Sequence, residues 1–247
     1  MNKIALLCPS RERSVMFFRS ALSVFTKADK PDDTGMYIGL DADDPERCNY
    51  TTQFPNVFYS IFMKNEKVGA IWNALAFMAI KDGYDYLLMH NDDCLQTTHG
   101  WDTIALNSFQ EAFKDNIGVL YGSDGINEKK HCAFPFLHKE WVNVLGYYTP
   151  TCFKFFQHDT YIQDIAKTVN RLVYQPRWEF NHEHWTRTRI RDKTTDRNRI
   201  AVTYSKDDRE TFKKTEKKRK SDAEKLMQYI KKDSKNDHLR TKNTSSP

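Results

Sequence analysis

Two hydrophobic rhythms alternate along the chain. Residues 4–8 (IALLC), 36–40 (MYIGL), 57–62 (VFYSIF), 86–89 (YLLM) and 118–121 (GVLY) are short, mostly apolar runs. Such runs are too short for helices and suit strands buried on both faces of a mostly parallel sheet. Between them, apolar residues recur at helical spacing. Phe18, Ala21, Leu22 and Phe25 form one stripe, with Ser10 and Ser14 as candidate caps. Val68, Ile71, Trp72, Leu75 and Ala79 form a second, closed by Gly83. Trp101, Ile104, Ala105, Phe109, Ala112 and Phe113 form a third, with Thr98 as candidate cap. Strand and helix alternating across residues 4–121 predict an α/β fold with a doubly wound, mostly parallel sheet flanked by helices.

After residue 121 the pattern changes. Phe134, Phe136, Trp141, Tyr147, Tyr148, Phe153, Phe155 and Phe156 crowd into residues 131–156. They supply either a second layer of core or the wall of an acceptor pocket. Next comes a helical stripe of Ile162, Ile165, Ala166 and Val169, preceded by His158 and Asp159. Asp159 therefore falls at a helix start, where the dipole favours a carboxylate and where capping is the ordinary use of one. Further on, Ala223, Leu226, Met227 and Ile230 make a stripe inside a very basic segment from Lys213 to Lys232. This reads as a docking helix that packs on the rest of the chain or presents lysines to a polyanion.

Composition changes the picture in two places. With 247 residues, 39% hydrophobic and 13% aromatic, the chain has ample core for a soluble α/β body. No stretch approaches the ~20 apolar residues that span a bilayer, and the start lacks the apolar region of a signal peptide, so a cytoplasmic location is expected. Five cysteines (Cys8, Cys48, Cys94, Cys132, Cys152) form no CxxC pair and are expected as reduced thiols. Charge is unevenly spread. Residues 186–247 hold 20 Lys and Arg against 10 Asp and Glu, while residues 1–185 hold 18 against 23. An acidic body thus carries a basic extension, either a solvated segment or a surface for an anionic partner.

Candidate chemistry sits at strand ends, where the loops of open α/β sheets diverge and leave a crevice for ligands. Asp41 and Asp43 follow the second run; Asn91, Asp92 and Asp93 follow the fourth. Adjacent carboxylates repel, so their placement is costly unless a cation or a set of donors offsets it. A hard divalent ion with oxygen ligands is the usual remedy, and an ordinary polar turn is the competing reading. Arg11 and Arg13 lie where a helix start would meet phosphate. His182 and His184, two apart on a strand, share a face and are placed to reach one ion.

The order PSRER, DADD, the helix with Lys67 and Asn73, HNDD, HDTYIQDIA and FNHEHW resembles the nucleotide-sugar-dependent glycosyltransferases of the GT-A fold, family 2 above all. The resemblance covers about residues 3–210. It implies a catalytic domain over 1–185, with a nucleotide-sugar half (1–125) and an acceptor half (126–185), followed by a basic, partly helical extension over 186–247. It further implies that Asn91-Asp92-Asp93 occupies the position of the DxD element, with Asn replacing the first acid and Asp93 as the better metal ligand. His182 and His184 then complete a Mn2+ or Mg2+ site. Pro9, Ser10, Arg11, Arg13, Asp41, Asp43, Lys67, Asn73, Asn91 and Asp92 border the nucleotide sugar, a UDP-sugar first among them. Asp159 stands at the position of the base, although the Glu that often precedes it is absent.

The expected activity is metal-dependent, inverting sugar transfer to a hydroxyl. The acceptor is a glycan or lipopolysaccharide, or a hydroxylated base in DNA held by Lys213, Lys214, Lys217 and Lys218. A sugar nucleotidyltransferase would want a Gly-rich phosphate loop after the first strand, and PSRER has none. A non-catalytic nucleic-acid-binding protein would leave the acid clusters idle.

Overall fold

A computed structural model of the chain describes residues 2–63, 66–184, 188 and 193–243, with side chains described throughout except over 193–203 and 234–243. In chain order the elements are β1 (Ile4–Ser10), α1 (Ser14–Lys27), β2 (Thr34–Asp41), β3 (Val57–Phe62), α2 (Val68–Lys81), β4 (Tyr86–Met89), β5 (Cys94–Gln96), α3 (Trp101–Ala112), β6 (Val119–Ser123), β7 (Phe136–His138), α4 (Lys139–Leu145), α5 (His158–Thr168), β8 (Leu172–His182), α6 (Lys193–Lys214) and α7 (Glu216–Asn243). The strands form one sheet in the order β3-β2-β1-β4-β7-β6-β8-β5. Strands β1 to β4 pair in parallel, β7 runs antiparallel to both β4 and β6, β8 lies parallel to β6, and β5 closes the edge antiparallel to β8. The mostly parallel α/β sheet expected from the alternating runs is therefore present. Strands β5 and β7, three residues each, are too short for periodicity to reveal.

Strands β1, β2, β4 and β6 are buried almost throughout because both faces of the sheet are covered there, whereas the edge strand β3 leaves Tyr59 and Ile61 exposed. Along β1, Ala5 and Leu7 join one core with α2, α4, α5 and α7, while Ile4, Leu6 and Cys8 join the other with α1 and α3. This is the period of two of a strand read as two separate layers. Ala223 and Leu226 of α7 are fully buried in the first layer. Asp222 beside them accepts hydrogen bonds from the hydroxyls of Tyr147 and Tyr161. The apolar stripe of the basic helix therefore packs on the body.

Four expectations are corrected. The buried face of α1 is Phe17, Ala21, Val24 and Phe25, with Phe18 42% and Leu22 38% exposed. Adjacent aromatics at 17 and 18 allow two phases of the stripe, and contact with the sheet selects one. Neither Ser10 nor Ser14 caps α1: Ser10 lies in β1, and Ser14 bonds Glu46 through both its N–H and its hydroxyl. The residue before α3 is Gly100, at φ +66°, while the hydroxyl of Thr98 accepts from the Glu179 N–H. Finally, β8 ends at His182, so His184 lies beyond the strand. The segment 187–191 falls outside the described residues apart from Thr188.

Candidate active site

The carboxyl ends of β1, β2 and β4 open onto a cleft of about 510 Å³. Pro9, Ser10, Arg11, Arg13, Asp41, Asn91, Asp92, Asp93, Asp159, His182 and His184 all line it. Except for Asp159, which opens α5, these positions lie at or just past strand ends, and the shared strand direction brings them to one edge because each loop leaves the same end of the sheet.

At the β1 and β2 ends, Arg11 Nη1 lies 2.8 Å from Asp41 Oδ2 and 2.5 Å from Asp43 Oδ1. At the β4 end, Arg13 Nη1 is 3.0 Å from Asp92 Oδ1 and 3.5 Å from Asp93 Oδ2, and the Ser10 hydroxyl donates to Asp92 Oδ2 at 2.5 Å. A guanidinium shared by two buried acids offsets part of the repulsion that the sequence places there. Burial pushes Asp92 up to about 6 against the pull of Arg13. Burial raises Asp93 too, but the His182 imidazole and then Arg13 outweigh it and hold Asp93 below the usual carboxylate range.

His182 lies between two acids, Nε2 3.5 Å from Asp93 Oδ1 and Nδ1 3.9 Å from Asp124 Oδ2. Those separations suit charge attraction and exceed a good hydrogen bond. Both ring nitrogens are buried without a hydrogen-bond partner. Burial alone lowers this imidazole, yet Asp124 and Asp93 outweigh it and carry it up to about 9. Asp93, Cys94 and His182 bring ligand atoms within 4.8 Å of one another. Burial pushes the Cys94 thiol well up, and its soft sulfur suits a hard divalent ion poorly. The donor set that fits a hard divalent ion is then Asp93 and His182, with the orphaned ring nitrogens as the structural sign. His184 lines the cleft with its ring 5.3 Å from that of His182, outside this ligand cluster.

The opposite wall comes from the segment entering α5. Asp159 Oδ2 is 2.7 Å from His131 Nε2, and Asp159 Oδ1 accepts from the N–H of Thr160 at 2.6 Å. Phe155 and Phe156, rings 4.9 Å apart, also line the cleft. The backbone N–H groups of Lys154, Phe155 and Phe156 all donate to the carboxylate of Asp208 on α6, at 2.8, 2.9 and 2.8 Å. Gly69 at the start of α2 permits the close approach of this segment, since a Cβ there would sit 2.5 Å from His158 Cε1. Of the remaining crowded aromatics, Phe136, Trp141, Tyr148 and Phe153 are core.

Other expected residues lie away from the cleft lining. The Asn73 side chain accepts from the N–H groups of Tyr148 and Thr149 and donates to the Thr149 carbonyl, a clasp that uses both acceptor positions of its amide oxygen. Lys67 Nζ donates to the Thr151 carbonyl at 3.4 Å. Asp43 reaches the site through Arg11. Lys213, Lys214, Lys217 and Lys218 are exposed on α6 and α7. Two acidic-site partners were missed by sequence reasoning, Asp124 and His131. The acid-after-a-strand rule finds Asp124, one residue past β6. A lone histidine after a lysine pair offers no such signal.

No family model matches the chain, and no curated protein matches it in sequence. Solved structures do match. Staphylococcus aureus TarS is 12% identical, with 72% of this chain and 36% of that one covered at a TM-score of 0.57. Its 1-349 fragment in complex with UDP is 13% identical, covering 72% and 59% at 0.54. The mannosyltransferase PcManGT from Pyrobaculum calidifontis, in complex with GDP-Man and Mn2+, is 11% identical, covering 72% and 56% at 0.54. The chain spans less than two thirds of the length of each. At these identities the likeness establishes the fold, the GT-A type expected from the sequence.

Proposed function

We propose that the chain transfers a sugar from a nucleotide-diphosphate sugar to a hydroxyl acceptor. One observation carries this reading: a buried Arg13–Asp92–Asp93–His182 cluster at a strand end faces the His131–Asp159 pair across a single cleft. The fold neighbours in complex with UDP and with GDP-Man and Mn2+ support a nucleotide sugar as donor and a divalent ion as its companion.

Arg11, Asp41 and the β1 end form the nucleotide side, and Ser10 and Arg13, which line the same cleft, would border the diphosphate. Asp93 and His182 would hold Mn2+ or Mg2+, whose charge, when bound, offsets that developing on the leaving diphosphate. Because His182 must give up its proton to become a ligand, ion affinity rises with pH. The acceptor hydroxyl loses its proton on the Asp159 side and attacks from the face opposite the leaving group, which inverts the anomeric centre. A UDP-sugar is the first donor to test. For the acceptor, the exposed lysines of α6 and α7 and the Phe155–Phe156 pair favour a polyanion with a stackable ring, such as a hydroxylated base in DNA; a glycan is the alternative outcome of an acceptor screen.

A thermal-shift screen of UDP- and GDP-sugars with and without Mn2+ tests the proposal. A true donor at about 100 times its dissociation constant stabilises by about 2.7 kcal/mol, and the shift should need the ion. No stabilisation by any nucleotide sugar would overturn the reading.

A further inference from the structure

Asp159 is poorly placed to receive a proton directly. Its Oδ2 faces His131 Nε2 at 2.7 Å, and its Oδ1 already accepts from the Thr160 N–H at 2.6 Å and the Thr160 hydroxyl at 3.2 Å. His131 follows a short helical turn (Glu128–Lys130), and its side chain is 28% exposed at the cleft. Its Nδ1 has no hydrogen-bond partner among the described residues. The pair therefore offers an oriented imidazole whose second nitrogen is available to a ligand.

We propose that His131 takes the proton of the acceptor hydroxyl and that Asp159 acts through it as a positioning residue; this rests on the reading of the cleft as a sugar-transfer site. The acceptor O–H bond breaks as its oxygen bonds the anomeric carbon. The bond from that carbon to the diphosphate oxygen breaks, and its electron pair leaves on the nucleotide. The proton passes to His131 Nδ1. The resulting imidazolium keeps its Nε2–H on Asp159 Oδ2, a charge-assisted bond that is strongest when the proton has moved. The groups facing the ring agree: Asp159 raises the imidazole above its ordinary value, Asp124 adds to this, and burial and Lys167 oppose it.

The test compares His131→Gln with Asp159→Asn, following nucleotide release from the donor identified by thermal shift. Gln keeps an N–H to bond Asp159 and cannot take a proton. Each variant should lose about 100-fold in kcat or more, with donor-induced stabilisation retained and the double variant little worse than either. In the parent, kcat/KM should rise with pH through a value above the ~6.5 of a free imidazole. By NMR, His131 should titrate there in the parent and fall back in Asp159→Asn, a readout independent of turnover. Near-parental turnover in His131→Gln with an unchanged pH profile would overturn the proposal and leave Asp159 as the base. If no nucleotide sugar stabilises the parent, the broader reading fails first and this one with it.

Discussion

The cleft has two walls built on different principles. The wall carrying Arg11, Arg13, Asp41, Asp92 and Asp93 leaves the ends of adjacent parallel strands, so its geometry follows from the sheet register. Its charges are matched locally, arginine to acid, within a few residues of strand ends. The facing wall, Lys154 to Asp159 with His131, has no strand beneath it. It is held by Asp208, some fifty residues later on α6, and by the Asn73 clasp, some eighty residues earlier, on the adjoining 148–149 backbone. A wall set by a sheet holds its form through the core, whereas a wall set by side-chain clasps depends on a few buried polar contacts whose loss leaves N–H groups unsatisfied.

The sharpest way to separate the two is to damage each in turn. Asp93→Asn on the sheet wall should lower turnover by roughly 10²–10³-fold or more and remove ion-dependent donor stabilisation, with the fold intact. Parental turnover in that variant would dissolve the role given to this wall. A smaller and different loss is expected for Asp208→Ala. It frees three backbone N–H groups, at roughly 1–3 kcal/mol for each one left unpaired, and loosens Phe155, Phe156 and the approach to Asp159. Turnover should fall about 10-fold or more through misplacement, while the donor-induced thermal shift persists. Loss of donor binding there would mean the walls are not independent.

The smallest effect belongs to the basic helices. Replacing Lys213, Lys214 and Lys217 by Ala should leave stability within about 0.5 kcal/mol. If DNA binds, the same change should make the dependence of log affinity on log salt shallower by roughly 2–3. Lys218 is better left in place, because its Nζ sits 4.6 Å over the Tyr147 ring and 3.4 Å from buried Asp222. A filter-binding series at low salt that detects no DNA would end the polyanion reading and leave α7 a packing helix.

Most of the sheet wall was legible in the sequence. Short apolar runs announce strands buried on both faces, and acids or arginines just past them fall at the sheet edge whatever the details of packing. That is why PSRER, DADD and HNDD converge as expected, and why Asp124, one residue past β6, obeys the same rule. Tertiary structure alone decided the rest. It chose the phase of α1, since Phe17 and Phe18 are equivalent to a periodicity count and differ only in which one meets the sheet. It turned Asn73 into a clasp, paired His131 with Asp159 across 28 residues, and gave Asp208 to the loop at 154–156. Those pairings join residues with no shared period and no local signature. A single polar side chain is chemically identical in solvent, in a cap or in a site, and only burial and the arrival of a distant partner fix which it becomes.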